Sequence, residues 1–185
     1  MGNDDTDETA RPLVLVLPGS GYGQQAPLLW WTRSIAAQHG TEVVAPSWTP
    51  DDRAASDPVG FVEEAVTTAL HGRLPDRVVA KSFGCFALPW AVRLGIPGTW
   101  LTPVTTHDAV AGALTRTTDA HDAVGGAADP LWQPQRLAGS GARLQTVAGA
   151  DHALEVAGDW RRSQRLQSDV LELVDQRLRA LVAVR

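Results

Sequence analysis

Three residue types that together can carry nucleophilic catalysis stand far apart along the chain: Ser82, Asp129 and His152. Ser82 lies in Arg77-Val-Val-Ala-Lys-Ser-Phe-Gly-Cys85, where an apolar run passes through a small residue, any residue, serine, any residue and glycine into a helix-forming stretch. That spacing is the pattern of a nucleophile elbow, with Ala80 at the first small position. A serine on so sharp a turn is strained outward, so the residues two before and two after it must be small; Ala80 and Gly84 qualify. A helix that starts at once aims free N–H groups at the serine oxygen and favours negative charge there. A serine hydroxyl alone is a weak nucleophile and needs a base, itself oriented by a third group. His152, in Val147-Ala-Gly-Ala-Asp-His152, is the candidate base, and Asp129, in Gly125-Gly-Ala-Ala-Asp-Pro-Leu-Trp132, the candidate orienting carboxylate. Acyl transfer also needs oxyanion donors. The N–H of Phe83, directly after the serine, is one candidate. The other is the N–H of Ser20 in Pro18-Gly-Ser-Gly-Tyr22, with Gly21 or Tyr22 next.

Each of these residues has a plainer competing role. Ser82 could cap a helix, His152 could be an exposed loop histidine, and Asp129 could cap a helix beginning at Pro130. Asp108 is the alternative acid. Asp151 neighbours His152 directly, and adjacent side chains point apart. Trp48 and Trp132 are expected to line an apolar substrate pocket, with core or rim packing as the competing role. Cys85 reads as a buried small residue. Lys81, the only lysine of the sequence, reads as solvent-facing or paired with a carboxylate, with tuning of the site or binding of an acidic substrate group as the alternative. His39, His71, His107 and His121 lack metal-ligand spacing, and solvated or capping roles are expected for them. Gly19, Gly21 and Gly23 do not make a dinucleotide fingerprint, and Ala80 stands where a phosphate-binding loop needs glycine.

The elements that must position these residues alternate. Leu13–Leu17 is an unbroken apolar run, as in a strand buried on both faces of a parallel sheet. Further strands are expected at Glu42–Ala45, Arg77–Ala80, Thr99–Thr105, His121–Gly126 and Arg143–Val147. The fifth is the weakest, with Val124 as its one strong apolar residue. Helices are expected over 27–39, 57–71, 83–94 (interrupted near Pro89), 107–117, 134–139 and 160–183. The last carries one apolar stripe, from Leu166 and Val170 to Leu181 and Val182. Alternation repeated about six times predicts an α/β domain: a mostly parallel sheet with helices on both faces and right-handed crossovers. Ligands of such sheets bind at the carboxyl ends of strands, where the candidate residues fall.

Composition narrows the function classes. The 185 residues fit one domain; 44% are hydrophobic and 20% charged, as in a globular protein. A tail over 1–11, acidic and flexible, is expected before a domain over 12–185. The net charge of −5, without a basic patch, argues against nucleic acid as a partner. One cysteine allows neither an internal disulfide nor a cysteine-built metal site. No run approaches the length of a membrane span, and the first residues lack the pattern of a signal peptide. A cytoplasmic location is the default expectation.

Taken together, Leu17-Pro-Gly-Ser-Gly, Ala80-Lys-Ser-Phe-Gly, Gly126-Ala-Ala-Asp-Pro-Leu-Trp and Gly149-Ala-Asp-His-Ala-Leu-Glu155 resemble the compact, lidless α/β-hydrolases related to dienelactone hydrolases and Tex30-like proteins. The resemblance runs from Leu13 to the C-terminal helix, and the order serine, aspartate, histidine is that of the α/β-hydrolase fold. Pro18 departs from the histidine of many relatives, Ala80 from their glycine, and the first two strands of larger members are missing. About 45 residues separate Phe83 from Ala128, and the expected elements use them, so no cap domain fits. The resemblance implies a serine hydrolase acting on a small-molecule ester, thioester or lactone through an acyl-enzyme, with no cofactor and no metal. An acyltransferase, or a catalytically silent binding or scaffold protein, are the alternatives. Oligomeric state is not legible.

Overall fold

The computed structural model describes residues 11–183, so the expected tail, apart from Arg11, lies outside the described residues. In chain order the elements are β1 (Leu13–Leu17), α1 (Pro27–Gln38), β2 (Glu42–Val44), α2 (Asp52–Ser56), α3 (Pro58–Leu70), β3 (Arg77–Lys81), a 3-10 helix (Ser82–Ala87), α4 (Leu88–Arg93), β4 (Gly98–Leu101), α5 (Asp108–Leu114), β5 (Asp122–Gly126), a second 3-10 helix (Pro134–Leu137), β6 (Arg143–Val147) and α6 (Trp160–Ala183). Pro27 and Pro58 open α1 and α3, where a missing N–H costs nothing. Asp57 caps α3 by accepting from the Gly60 N–H at 2.9 Å. The short helix α2, capped by Asp51, was not expected from the sequence.

All six strands pair in parallel, in the order β2-β1-β3-β4-β5-β6. Alternating residues of β1 divide the core. Leu13, Leu15 and Leu17 face α3, α4 and α5; Val14 and Val16 face α1 and α6. The chain moves outward from β1 to β2 and then crosses back to β3 on the other side of β1. This reversal is the topological switch point, and it opens a crevice above the carboxyl ends of β1 and β3. Among the described residues no helix is long and apolar enough to cross a membrane.

Several expectations shift in detail. β4 ends at Leu101 rather than continuing to Thr105, because Thr102 adopts a left-handed backbone (φ 45°) and Pro103 follows. The helix expected over 83–94 is a 3-10 segment followed by α4. β5 lacks strong apolar residues because its others have specific tasks. Asp122, buried at the amino end, accepts from Arg77 at 3.0 Å and from Arg177 at 2.7 and 2.6 Å, joining β3, β5 and α6. Gly125 leaves room for the indole of Trp132, which a Cβ would meet at 2.1 Å. His121 is buried rather than solvated: its Nδ1 accepts from the Trp100 indole at 3.1 Å, and burial lowers its pKa to about 4.

Candidate active site

The carboxyl ends of β3, β5 and β6 bring the three candidate residues together. Ser82 follows β3 directly and adopts φ 50°, a left-handed conformation that is costly for serine and turns its side chain out of the strand. Gly84 permits this turn. A Cβ there would lie 2.8 Å from the Leu17 Cβ and 2.8 Å from the Pro18 carbonyl. The tightest packing at Gly84 is thus against the end of β1.

His152 must reach back across two strands to meet Ser82, since β6 lies three places from β3, roughly 14 Å in a sheet. The loop after β6 achieves this by close backbone approach. A Cβ on Gly126 would lie 2.1 Å from the Ala150 carbonyl oxygen, and the Ala128 N–H donates to that same oxygen at 2.9 Å. Asp151 shapes the loop by accepting from the N–H groups of Ala153 and Glu155 at 2.8 and 2.9 Å, so its carboxylate is engaged away from the imidazole. Leu154, fully buried, anchors the loop at φ 60°.

The result is a continuous line. His152 Nε2 lies 2.7 Å from Ser82 Oγ, and its Nδ1 lies 2.7 Å from Asp129 Oδ2. The Asp129 side chain is fully buried, while the His152 ring is 31% exposed. The second carboxylate oxygen of Asp129 accepts from the Leu131 N–H at 2.9 Å, which fixes its plane. A carboxylate only accepts, so it selects the tautomer with hydrogen on Nδ1 and leaves Nε2 to accept from the serine hydroxyl. Asp108, the alternative acid, is exposed and pairs with Arg136.

The loop after β1 abuts the serine: a Cβ on Gly19 would lie 3.4 Å from Ser82 Cβ. Ser20 and Phe83 flank this contact, the first on an exposed turn and the second in the 3-10 helix. Trp48 is half-buried and meets Phe61 and Phe83 edge-on, at 6.4 and 6.2 Å between centroids, in an aromatic wall beside the elbow. Trp132 does not join it. It is 5% exposed, covers Gly125 and donates to Thr146 at 2.9 Å, so the expected substrate contact gives way to core packing. Cys85 is completely buried, and desolvation pushes its thiol well above its ordinary pKa.

Lys81 departs most from expectation. It is 1% exposed and, among the described residues, has no carboxylate partner at hydrogen-bond distance. Its ammonium donates to Thr102 Oγ1 at 2.5 Å and to the His152 carbonyl at 2.8 Å, and lies 4.9 Å from the centre of the Tyr22 ring. Phe61 and Thr102 were not singled out as partners of the site, and Tyr22 only as a main-chain oxyanion donor, since only the fold brings their side chains there. A sole lysine ending an apolar strand was the available signal for Lys81. Among the described residues, no group of three or more histidine, cysteine or acidic side chains could hold a metal ion.

No protein-family model matches the sequence, and no curated protein is significantly similar to it. Solved structures are similar in fold. Dienelactone hydrolase from Anabaena variabilis shares 18% identity at a TM-score of 0.62, over 91% of this chain and 86% of that one. Est1E from Butyrivibrio proteoclasticus, solved with ferulic acid bound, shares 12% at 0.68, over 97% and 92%. An α/β serine hydrolase without a lid, from Xanthomonas campestris, shares 14% at 0.59, over 95% and 85%. With its parallel six-stranded sheet, its helices on both faces and a serine elbow at the switch point, this chain has the single-domain α/β-hydrolase fold.

Proposed function

We propose that the protein is a serine hydrolase that cleaves a small ester, thioester or lactone. The observation that carries this reading is the unbroken hydrogen-bonded line from Asp129 through His152 to Ser82, with both links at 2.7 Å. His152 Nε2 takes the hydroxyl proton as Ser82 Oγ attacks the carbonyl carbon. Asp129 keeps the ring in the accepting tautomer and stabilises the imidazolium. The N–H groups of Phe83 and Ser20 stabilise the oxyanion. The imidazolium then protonates the leaving oxygen or sulfur, and the acyl group remains on Ser82. Water, deprotonated by His152, attacks the acyl carbon and releases the acid and the free serine. No cofactor enters this sequence. The aromatic wall of Trp48, Phe61 and Phe83 supports an apolar substituent on the substrate.

Labelling with a fluorophosphonate probe tests the reading. The wild type is expected to label, and Ser82→Ala is not. Equal labelling of both rejects Ser82 as the nucleophile; no labelling of either favours a binding or scaffold role.

A further inference from the structure

Three of the four non-glycine residues with a left-handed backbone among those described are Ser82, Thr102 and Leu154. They stand on three separate connections, Ser82 opening the 3-10 helix after β3, Thr102 after β4 and Leu154 after β6. Backbone strain of this kind persists only where surrounding contacts over-determine it. One side chain joins these connections. Lys81 precedes Ser82, donates to the hydroxyl of Thr102, and donates to the carbonyl of His152, two residues before Leu154. Its remaining N–H side faces the ring of Tyr22, on the loop after β1. A charged group this deeply buried, without a carboxylate in contact among the described residues, is costly, and a neutral side chain of equal length would fill the same space at less cost. Such a burial needs a return in something other than stability.

We propose that Lys81 is a positioning residue for His152: its ammonium grips the histidine main chain and thereby holds the imidazole in line with Ser82. The inference rests on the hydrolase reading only for its kinetic consequences. Lys81 ends β3 and Ser82 follows it directly, so one short stretch of chain fixes both ends of the Ser82–His152 hydrogen bond. The bond to Asp129 constrains the ring plane, but the loop after β6 crosses the carboxyl ends of two strands before it reaches Ser82. The grip of Lys81 on the His152 carbonyl limits how far that loop can slide. Charge matters to the grip, because an ammonium donates stronger hydrogen bonds than a neutral amine. Among the described residues, the charged or titratable groups around Lys81 are Cys85 in the 3-10 helix, Asp129 after β5, Asp151 and His152 after β6, and Tyr22 after β1. Burial lowers the Lys81 pKa to about 8, against partial support from Cys85, Asp129 and Asp151. The positioning therefore weakens as pH rises through about 8.

The test combines Lys81→Met with Thr102→Ala, after melting curves establish that each variant is folded. Lys81→Met is expected to lower kcat by roughly 10- to 100-fold, the scale of a small misplacement of a catalytic group, with KM within about threefold. Wild-type kcat is expected to decline above about pH 8, and Lys81→Met to lose that alkaline limb. Thr102→Ala removes one acceptor of the ammonium and is expected to move the limb to lower pH; it serves alone if the lysine variant does not fold. A readout independent of turnover is the downfield proton resonance of His152 Nδ1–H, expected to be sharp in the wild type and broadened by exchange in Lys81→Met. A folded Lys81→Met with kcat within twofold and an unchanged resonance overturns the proposal, as does an alkaline limb that Thr102→Ala leaves in place. A wild type that is not labelled by fluorophosphonate, yet whose His152 resonance still depends on Lys81, overturns the hydrolase reading and leaves the positioning role standing.

Discussion

At the scale of single residues, Asp129 illustrates how a side chain is committed to one task. Both of its oxygens are used, one by His152 and one by the Leu131 N–H, and solvent does not reach it. Asp129→Asn keeps the volume but presents a donor where an acceptor is required, favouring the wrong imidazole tautomer. Turnover of an ester substrate is expected to fall by roughly 10³- to 10⁴-fold, with little change in melting temperature. Steady-state kinetics beside thermal melts check this, and near-normal kcat would remove Asp129 from its role. Its candidacy was legible because serine, aspartate and histidine each follow an expected strand of the alternating pattern, in that chain order, a feature of local sequence. The burial of Lys81 was not legible, because its two acceptors lie 21 and 71 residues away. Trp132 misled for a related reason: a tryptophan on a loop near the site can face either way, and the vacancy over Gly125 decided it.

At the scale of elements, the glycine pair ending β5 does what no apolar strand could do. Gly125 admits the indole of Trp132 on one side, and Gly126 admits the backbone of the loop that carries His152. The two positions therefore serve core packing and the placement of the His152 loop separately. Gly126→Ala places a Cβ against the main chain at 150 and 151, which cannot yield as a flexible side chain does. The loop must lift, so activity is expected to fall by at least about 100-fold. Fluorophosphonate labelling of the folded fraction measures this, and a wild-type labelling rate would show that the loop tolerates the shift. The pair made β5 the faintest strand in the sequence, since glycine carries no pattern of its own; the contacts that require it are between loops far apart in the chain. By contrast β1 and β3 were plain, because burial on both faces demands a continuous apolar run.

At the scale of the whole molecule, the parallel sheet separates stability from chemistry along its strands. The carboxyl ends carry Ser82, Asp129 and His152; the amino ends carry Asp122 with its arginines. Removing that carboxylate in Asp122→Ala strands Arg77, which is 7% exposed. A buried charge left without its partner costs about 3–5 kcal/mol, so chemical denaturation is expected to show a loss of that order. Because Asp122 sits at the opposite end of β5 from the loop bearing Asp129, kcat/KM of the folded protein should stay within about twofold. A large kinetic effect in a folded Asp122→Ala would mean that the two ends are coupled.

The sequence by itself determined the α/β class, most of the strands and helices, and the identity of the candidate triad. These depend on short-range facts: apolar runs, proline and glycine punctuation, and small residues around a serine. Tertiary structure alone decided the strand order, the reach of His152 back over the sheet, the burial of Lys81 and the inward turn of Trp132. Each of those depends on which distant segments share a space, and neighbouring residues in the chain carry no record of the steric fit and desolvation that select among such arrangements.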